Sequence, residues 1–240
     1  MYKGSFIEFV ENAGCKYYVG IGNPKADILI IGKEPNITEP ASLDEYQKNA
    51  FFWKYKTDNN VAEVLEYLVT RDHPLYKSWG KNTWSRYQTL MDKVRENKTP
   101  RYYVDFLKDV FTTELNDLPS KNTASANKTG IGNHKQLFKE SAFIQDFKVI
   151  ILACSNYIKN DETNREIDDI FGVRYDGDET GRYFYSNTNW FYTHHNTSGD
   201  KLVIHTRQLS ANVRNELLND MATIVREHLK KQNIKLTHEQ

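Results

Sequence analysis

The sequence predicts an α/β fold in three layers, with helices on both faces of a central, mostly parallel sheet of four strands. Three short runs, residues 27–32, 148–153 and 201–205, are apolar and rich in β-branched residues, and none alternates with polar residues. Such runs are typical of strands that are buried on both faces. Residues 103–112 form a weaker run that predicts the fourth strand. Helical patterns lie between the runs, and this alternation favours parallel crossover units.

Four helices are predicted where apolar residues recur every three or four positions. The predicted helices cover residues 61–70, 84–94, 137–144 and 212–231. Ser210 or Asn212 stands where a polar side chain can cap the last of them.

Two polar, glycine-containing stretches predict long loops, at residues 119–134 and 176–200. The middle of the second, residues 182–195, is unusually aromatic. It is expected to form either a hairpin added to the sheet or a lid over a site. No repeat and no linker divides the chain, so we predict one domain over residues 1–240, with its core at about 25–230.

The composition is that of a globular protein, with 39% hydrophobic and 27% charged residues. Lysine plus arginine and aspartate plus glutamate number 32 each, so the chain has no overall basic field. If a nucleic acid binds, a local basic patch must attract it.

Neither the cysteines nor the histidines predict a metal site or a cofactor. Cys15 and Cys154 give no disulfide framework and no zinc spacing. The histidines at 194, 195 and 205 have no acidic or cysteine ligand at a regular spacing. No run approaches the roughly 20 apolar residues of a membrane span. We therefore expect a cytoplasmic protein without a membrane partner.

A candidate site follows the first predicted strand, because ligands of open parallel sheets bind beyond the carboxyl ends of the strands. The residues there are Gly32, Lys33, Glu34, Pro35 and Asn36. They form either a ligand site or an ordinary turn in which glycine and proline set the chain direction.

The last predicted strand ends in His205, at the same edge of the sheet as Glu34. This histidine is either structural or a donor to charge that develops on a leaving group.

Three short segments resemble the uracil-DNA glycosylase superfamily. Gly32-Lys-Glu-Pro35 and His205-Thr-Arg-Gln-Leu-Ser-Ala211 resemble its two active-site motifs. Between them, Asn49-Ala-Phe-Phe-Trp-Lys54 resembles the segment that helps form the base pocket in the mismatch-specific and single-strand-selective branches. The likeness covers residues 25–230 in order, and short motifs carry it.

The resemblance implies roles for individual residues. Glu34 would position or activate water, and His205 would steady the departing base. Phe51 or Phe52 would stack on a flipped base, in a pocket to which Asn49 contributes. The turn residues Gly32, Lys33, Pro35 and Asn36 would line the substrate site.

The sequence also departs from the family pattern. The second motif usually reads His-Pro-Ser, whereas Arg207 stands here at the third position. Arg207 and Ser210 are predicted to contact the nucleic-acid backbone. After the second strand, Glu114 or Asn116 would read the base edge. An ionised glutamate offers only acceptors and would leave a carbonyl of uracil unpaired, so we expect weak activity on uracil.

The resemblance therefore implies an enzyme that cleaves a base–sugar bond, in DNA more than RNA, or in a free nucleotide. The alternative is a protein that keeps the fold and binds nucleic acid or a nucleotide without chemistry. An unrelated α/β hydrolase is disfavoured because the chain has no Gly-x-Ser-x-Gly elbow.

Overall fold

The computed structural model describes residues 1–14, 17–35, 48–120, 124–210 and 212–237. Asn36, Cys15 and Ala211 lie outside the described residues. The helices are α1 Gly4–Ala13, α2 Asn49–Asn59, α3 Thr83–Val94, α4 Ile131–Glu140, α5 Ala142–Gln145, α6 Glu166–Phe171, α7 Asp178–Gly181 and α8 Asn215–Lys231. The strands are β1 Ile21–Gly22, β2 Ile28–Gly32, β3 Tyr67–Leu68, β4 Tyr103–Val104, β5 Val110–Glu114, β6 Val149–Leu152, β7 Asn160–Asp161, β8 Asn164–Arg165, β9 Arg174–Tyr175, β10 Arg182–Ser186, β11 Asn189–His195 and β12 Leu202–Thr206.

The central sheet has four parallel strands in the order β5-β2-β6-β12. This confirms the predicted parallel core, with β2 and β6 as neighbours. The sheet is larger than predicted, because eight described strands belong to it. The additional strands pair antiparallel: β1 joins β5, while β11 joins β12 and carries β9 and β10.

Helices cover both faces of the sheet, and β2 shows why its sequence does not alternate. Ile28 and Ile30 pack in a cluster with α3 and α8, whereas Leu29 and Ile31 pack in a second cluster with α1, α2 and α4 to α6. All four side chains are fully buried. Each such burial stabilises the fold by about 1.5–3 kcal/mol relative to an exposed side chain.

The helix predicted at residues 61–70 is wrong. Helix α2 ends at Asn59, and Asn60 takes the left-handed conformation that terminates it. Within the predicted stretch, β3 pairs with β4 instead. Val64 and Leu68 are 65% and 59% exposed, whereas Val69 is buried in the core, so burial in this stretch does not follow the predicted helical pattern.

Two other helix boundaries differ from the prediction. The pattern at residues 137–144 is divided between α4 and α5 at Ser141, whose hydroxyl accepts from the Ile144 N–H at 3.4 Å. The last helix begins at Asn215, and neither Ser210 nor Asn212 caps it. A tertiary contact holds the start of this helix, because Asn189 Oδ1 accepts from the Arg214 N–H at 2.9 Å.

The aromatic stretch at residues 182–195 is a hairpin, since β10 and β11 pair antiparallel and extend the sheet. This confirms the first of the two alternatives for residues 182–195, a hairpin added to the sheet. The loop at residues 119–134 ends earlier than predicted, because α4 begins at Ile131. The run at residues 103–112 is interrupted by the 3-10 turn Phe106–Lys108, and its second part enters β5.

Candidate active site at the carboxyl edge of the sheet

The four parallel strands end at one edge of the sheet, which we call the carboxyl edge. Glu114 is the last residue of β5, and Lys33 and Glu34 follow β2 directly. His205 lies one residue before the end of β12, opposite the last residue of β6. The topology therefore brings four of the predicted site residues to the same edge.

Glu114 and Gly32 are register partners on neighbouring strands. The Glu114 carboxyl occupies the space that a Cβ at position 32 would need. Glycine is required at the end of β2 for this packing reason, independently of any ligand.

Burial and, to a smaller extent, the negative charge of Glu34 together raise the pKa of Glu114 to about 8. Its Oε2 atom is buried and has no hydrogen-bond partner among the described residues. At neutral pH this carboxyl is therefore mostly protonated and offers one donor and one acceptor. The expectation of weak activity on uracil assumed an ionised Glu114, and the raised pKa of this carboxyl does not support that assumption.

His205 is buried, and its Nε2 lies 2.9 Å from the carbonyl oxygen of Ser155. A carbonyl only accepts, so Nε2 carries the proton. Burial lowers the pKa of His205 to about 4, against the opposing effect of the Ser155 bond, and the ring is neutral at pH 7. Its Nδ1 therefore holds a lone pair, without a partner among the described residues. In this arrangement the N–H of the His205 ring is directed at the Ser155 carbonyl, and the donor role stays a prediction.

Cations gather beside the same edge. Lys33 and Lys128 both lie over the ring of Tyr157, at 5.1 and 5.2 Å from its centroid. Burial lowers the pKa of Lys33, and the positive charges of Lys128 and Arg207 act in the same direction, against Glu34. We call Lys33, Lys128 and Arg207 the cation cluster. It is a local patch of the kind that a neutral chain needs for binding phosphate.

The segment expected to form the base pocket is used otherwise. Asn49 donates to the Gly20 carbonyl at 2.8 Å and accepts from the backbone N–H groups of Val19 and Gly20. Its amide therefore holds the start of α2 against the chain before β1. Phe51 and Phe52 are 59% and 52% exposed, so neither forms the wall of a buried pocket.

Asn116 is fully buried and also structural. Its backbone N–H donates to the Lys33 carbonyl at 2.7 Å, and its side-chain Nδ2 donates to the Asn127 carbonyl at 2.9 Å. Its Oδ1 accepts from the Leu118 N–H at 3.3 Å. These bonds hold the loop after β5.

The remaining predicted residues surround this edge. Arg207 donates to the Thr188 carbonyl at 2.7 Å, beside the turn of the aromatic hairpin. The Pro35 carbonyl accepts from the Ser120 N–H at 3.0 Å, which ties the turn after β2 to the loop after β5. Ser210 is partly buried.

Sequence reasoning missed two aspartate–histidine pairs. His194 Nδ1 lies 2.7 Å from Asp168, and His195 Nδ1 lies 2.8 Å from Asp176. The partners are 26 and 19 residues apart in the sequence, so no local motif predicts the pairs. In the described part of the chain, no group of three potential ligands forms a metal centre.

No protein-family model matches the sequence, and no curated protein matches it.

In the ranges that the structure describes, no helix has both the length and the apolar character needed to cross a membrane.

Chemically, the carboxyl edge combines a neutral carboxylic acid, the charge of Glu34 beside it, and cations at its rim. A neutral carboxylic acid beside a second carboxyl group is suited to acid–base catalysis, because one can donate a proton while the other accepts or orients one. The cation cluster is suited to an anionic substrate.

Proposed function

We propose that this protein hydrolyses the bond between a base and its sugar, as a divergent member of the uracil-DNA glycosylase superfamily. The carboxyl pair supports the proposal: Glu34 follows β2, Glu114 ends the adjacent β5, and Glu114 is held neutral. DNA is the proposed substrate, because the resembling motifs belong to enzymes that act on DNA. A free nucleotide presents the same bond and the same phosphate.

The proposed reaction assigns one task to each carboxyl group. The glycosidic C–N bond breaks, and its electron pair leaves with the base while positive charge develops on the sugar. Glu114 donates its proton to the departing base. Glu34 orients a water molecule whose oxygen bonds to the sugar carbon, and the proton released by that water restores the acid through Glu34 or solvent. The products are a free base and a sugar hydroxyl.

A neutral Glu114 also changes the expected base preference. A carboxylic acid has one donor and one acceptor, so it can pair with an adjacent carbonyl and N–H of a base, as an amide does. The proposed bases are therefore those with such an edge, which include uracil, hypoxanthine and xanthine. The cation cluster would hold the neighbouring phosphates, with Arg207 in the place that the family gives to a small residue.

A second candidate is a protein that binds nucleic acid or a nucleotide without cleaving it. The hydrogen bond from His205 to the Ser155 carbonyl favours this candidate, because the family motif would use the same histidine N–H as the donor to the leaving base.

Base release distinguishes the two candidates. The protein is incubated with oligonucleotides or with free nucleotides, and released base is measured by chromatography. The oligonucleotides are single- or double-stranded and contain uracil, hypoxanthine, xanthine or an alkylated base. We expect release from at least one substrate and its loss in Glu34→Gln. Binding without release from any substrate would support the second candidate, and the absence of both would remove both.

A further inference from the structure

A row of aromatic side chains lies on one face of the sheet extension. Trp190 and Tyr192 point to the same face of β11 and are partly exposed, whereas Phe191 between them is fully buried on the other. The ring centroids of Trp190 and Tyr192 are 5.3 Å apart with their planes at 47°, and the Tyr175 ring of β9 stands edge-on, 5.8 Å from Tyr192 at 76°. We call these three side chains the aromatic platform.

Arg165 closes one end of the platform, with its guanidinium 4.6 Å from the centre of the Tyr175 ring. It donates to Asn160 Oδ1 at 2.9 Å, and the amide of Asn160 donates to His194 Nε2 at 3.2 Å. His194 is fully buried and donates from Nδ1 to Asp168 at 2.7 Å. This chain of bonds holds Arg165 in place before any ligand arrives, which reduces the entropy lost on binding.

The other end of the platform reaches the candidate active site. The Trp190 ring lies 5.2 Å from His205 and the Tyr192 ring 6.3 Å from it. Arg207, a member of the cation cluster, donates to the Thr188 carbonyl two residues before Trp190. The platform therefore has a guanidinium at each end.

The nearest carboxylates are already engaged. Asp178 accepts from the Tyr175 hydroxyl at 2.7 Å and pairs with Arg182 at 3.2 Å. Asp168 accepts from His194. The guanidinium groups that flank the row are those of Arg165 and Arg207.

We propose that the aromatic platform binds single-stranded nucleic acid by stacking on its bases, and that it delivers the strand to the carboxyl edge. In naming the form of the substrate, this inference rests on the proposed function. Aromatic rings with cations at both ends suit unpaired bases joined by phosphates, because every base offers a flat face. In a duplex those faces are already stacked on one another, so a single strand binds more tightly here.

Binding is measured in a Glu34→Gln background, so that turnover does not interfere. The probe is a fluorescein-labelled short oligothymidine, compared by anisotropy with a duplex of equal length at two salt concentrations. We expect tighter binding of the single strand and an affinity about tenfold lower in Trp190→Ala and in Tyr175→Ala. The matched control is Tyr55→Ala, since Tyr55 is an exposed aromatic residue on α2, away from the platform.

Circular dichroism verifies that each variant folds. Arg165→Gln provides a second test that removes no ring, and it is expected to weaken binding and its salt dependence. Unchanged affinity in the folded platform variants, or tighter binding of the duplex, would overturn the inference. Dimerisation of the parent in solution that is lost in Trp190→Ala would assign the platform to a second copy and would also overturn it.

The experiment separates this inference from the proposed function. If platform-dependent binding is found without base release from any substrate, the inference stands and the glycosylase proposal fails. If base is released and the platform variants bind and react like the parent, the proposal stands and the inference fails.

Discussion

The carboxyl group of Glu114 lies over the α-carbon of Gly32, in the space that a side chain there would fill. The two residues are register partners at the ends of β5 and β2. One contact thus explains both the glycine in the first motif and the burial that keeps Glu114 neutral.

Gly32→Ala is expected to destabilise the fold by about 1–3 kcal/mol, because the new methyl group displaces the Glu114 carboxyl. The free energy of unfolding in urea measures the loss. Gly132→Ala is the matched control, since a Cβ at Gly132 meets nothing within 4 Å and alanine favours a helix. In a Glu114→Ala background the cost of Gly32→Ala should fall, and an unchanged cost would refute the contact.

Glu114→Gln should stabilise the protein at high pH and have little effect at low pH. The pKa of Glu114 is raised from 4.5 to about 8 by burial and by Glu34, so the folded state binds the proton more tightly than the unfolded state. The stability associated with the neutral acid is fully present below pH 4.5 and is lost as pH rises through about 8. Urea midpoints at pH 5 and pH 9 measure the difference between variant and parent. Glu11→Gln is the control, because Glu11 is exposed and its substitution measures the general effect of losing a surface carboxylate. Equal shifts of the urea midpoint in Glu114→Gln and Glu11→Gln would contradict the prediction.

His205→Ala should cost about 1–3 kcal/mol of stability, because the Ser155 carbonyl loses its donor. His205→Gln retains a donor at nearly the same place and should recover part of the loss. If both variants are as stable as the parent while base release falls about a hundredfold in each, His205 would instead be the donor to the leaving base.

Arg95→Met is expected to be among the more damaging substitutions, at about 3–5 kcal/mol. The Arg95 side chain is 1% exposed and bonds Asp105 at 2.8 Å and Asp109 at 2.7 Å, so its removal leaves two buried carboxylates uncompensated. Lys54→Met breaks an exposed helical pair with Asp58 and should cost less than about 0.5 kcal/mol. Similar losses in the two variants, measured by urea unfolding, would show that burial of the Arg95 pairs contributes nothing.

The parallel core was predictable because its strands are buried on both faces, which leaves a continuous apolar run in β2 and β6. Residues 61–70 show the limit of periodicity, since Val69, which is not on the predicted apolar face, is the residue of this stretch that is buried in the core. In α1 the signal was present and overlooked. Phe6, Phe9, Val10 and Ala13 stand at helical spacing, and all four are buried.

Only the placement of the site residues at the strand ends was predictable from the sequence. The sequence places Glu34, Glu114 and His205 at one edge because parallel strands end together. The protonation of Glu114 depends on its packing against Gly32 and on the charge of Glu34, both of which require the folded arrangement. The bond from His205 to Ser155 joins residues 50 positions apart, and no local pattern encodes it.

Single-turnover base release by the Glu34→Gln variant tests the central claim most directly. The best substrate from the release assay is used in single-stranded form, at pH 6 and at pH 9, on either side of the Glu114 pKa of about 8. We predict that the parent is faster at pH 6, because Glu114 then carries its proton. Glu34→Gln should be slower by about a hundredfold or more with little change in affinity, since an interaction made in the transition state affects rate more than binding. Release by Glu34→Gln at the parent rate would contradict the account.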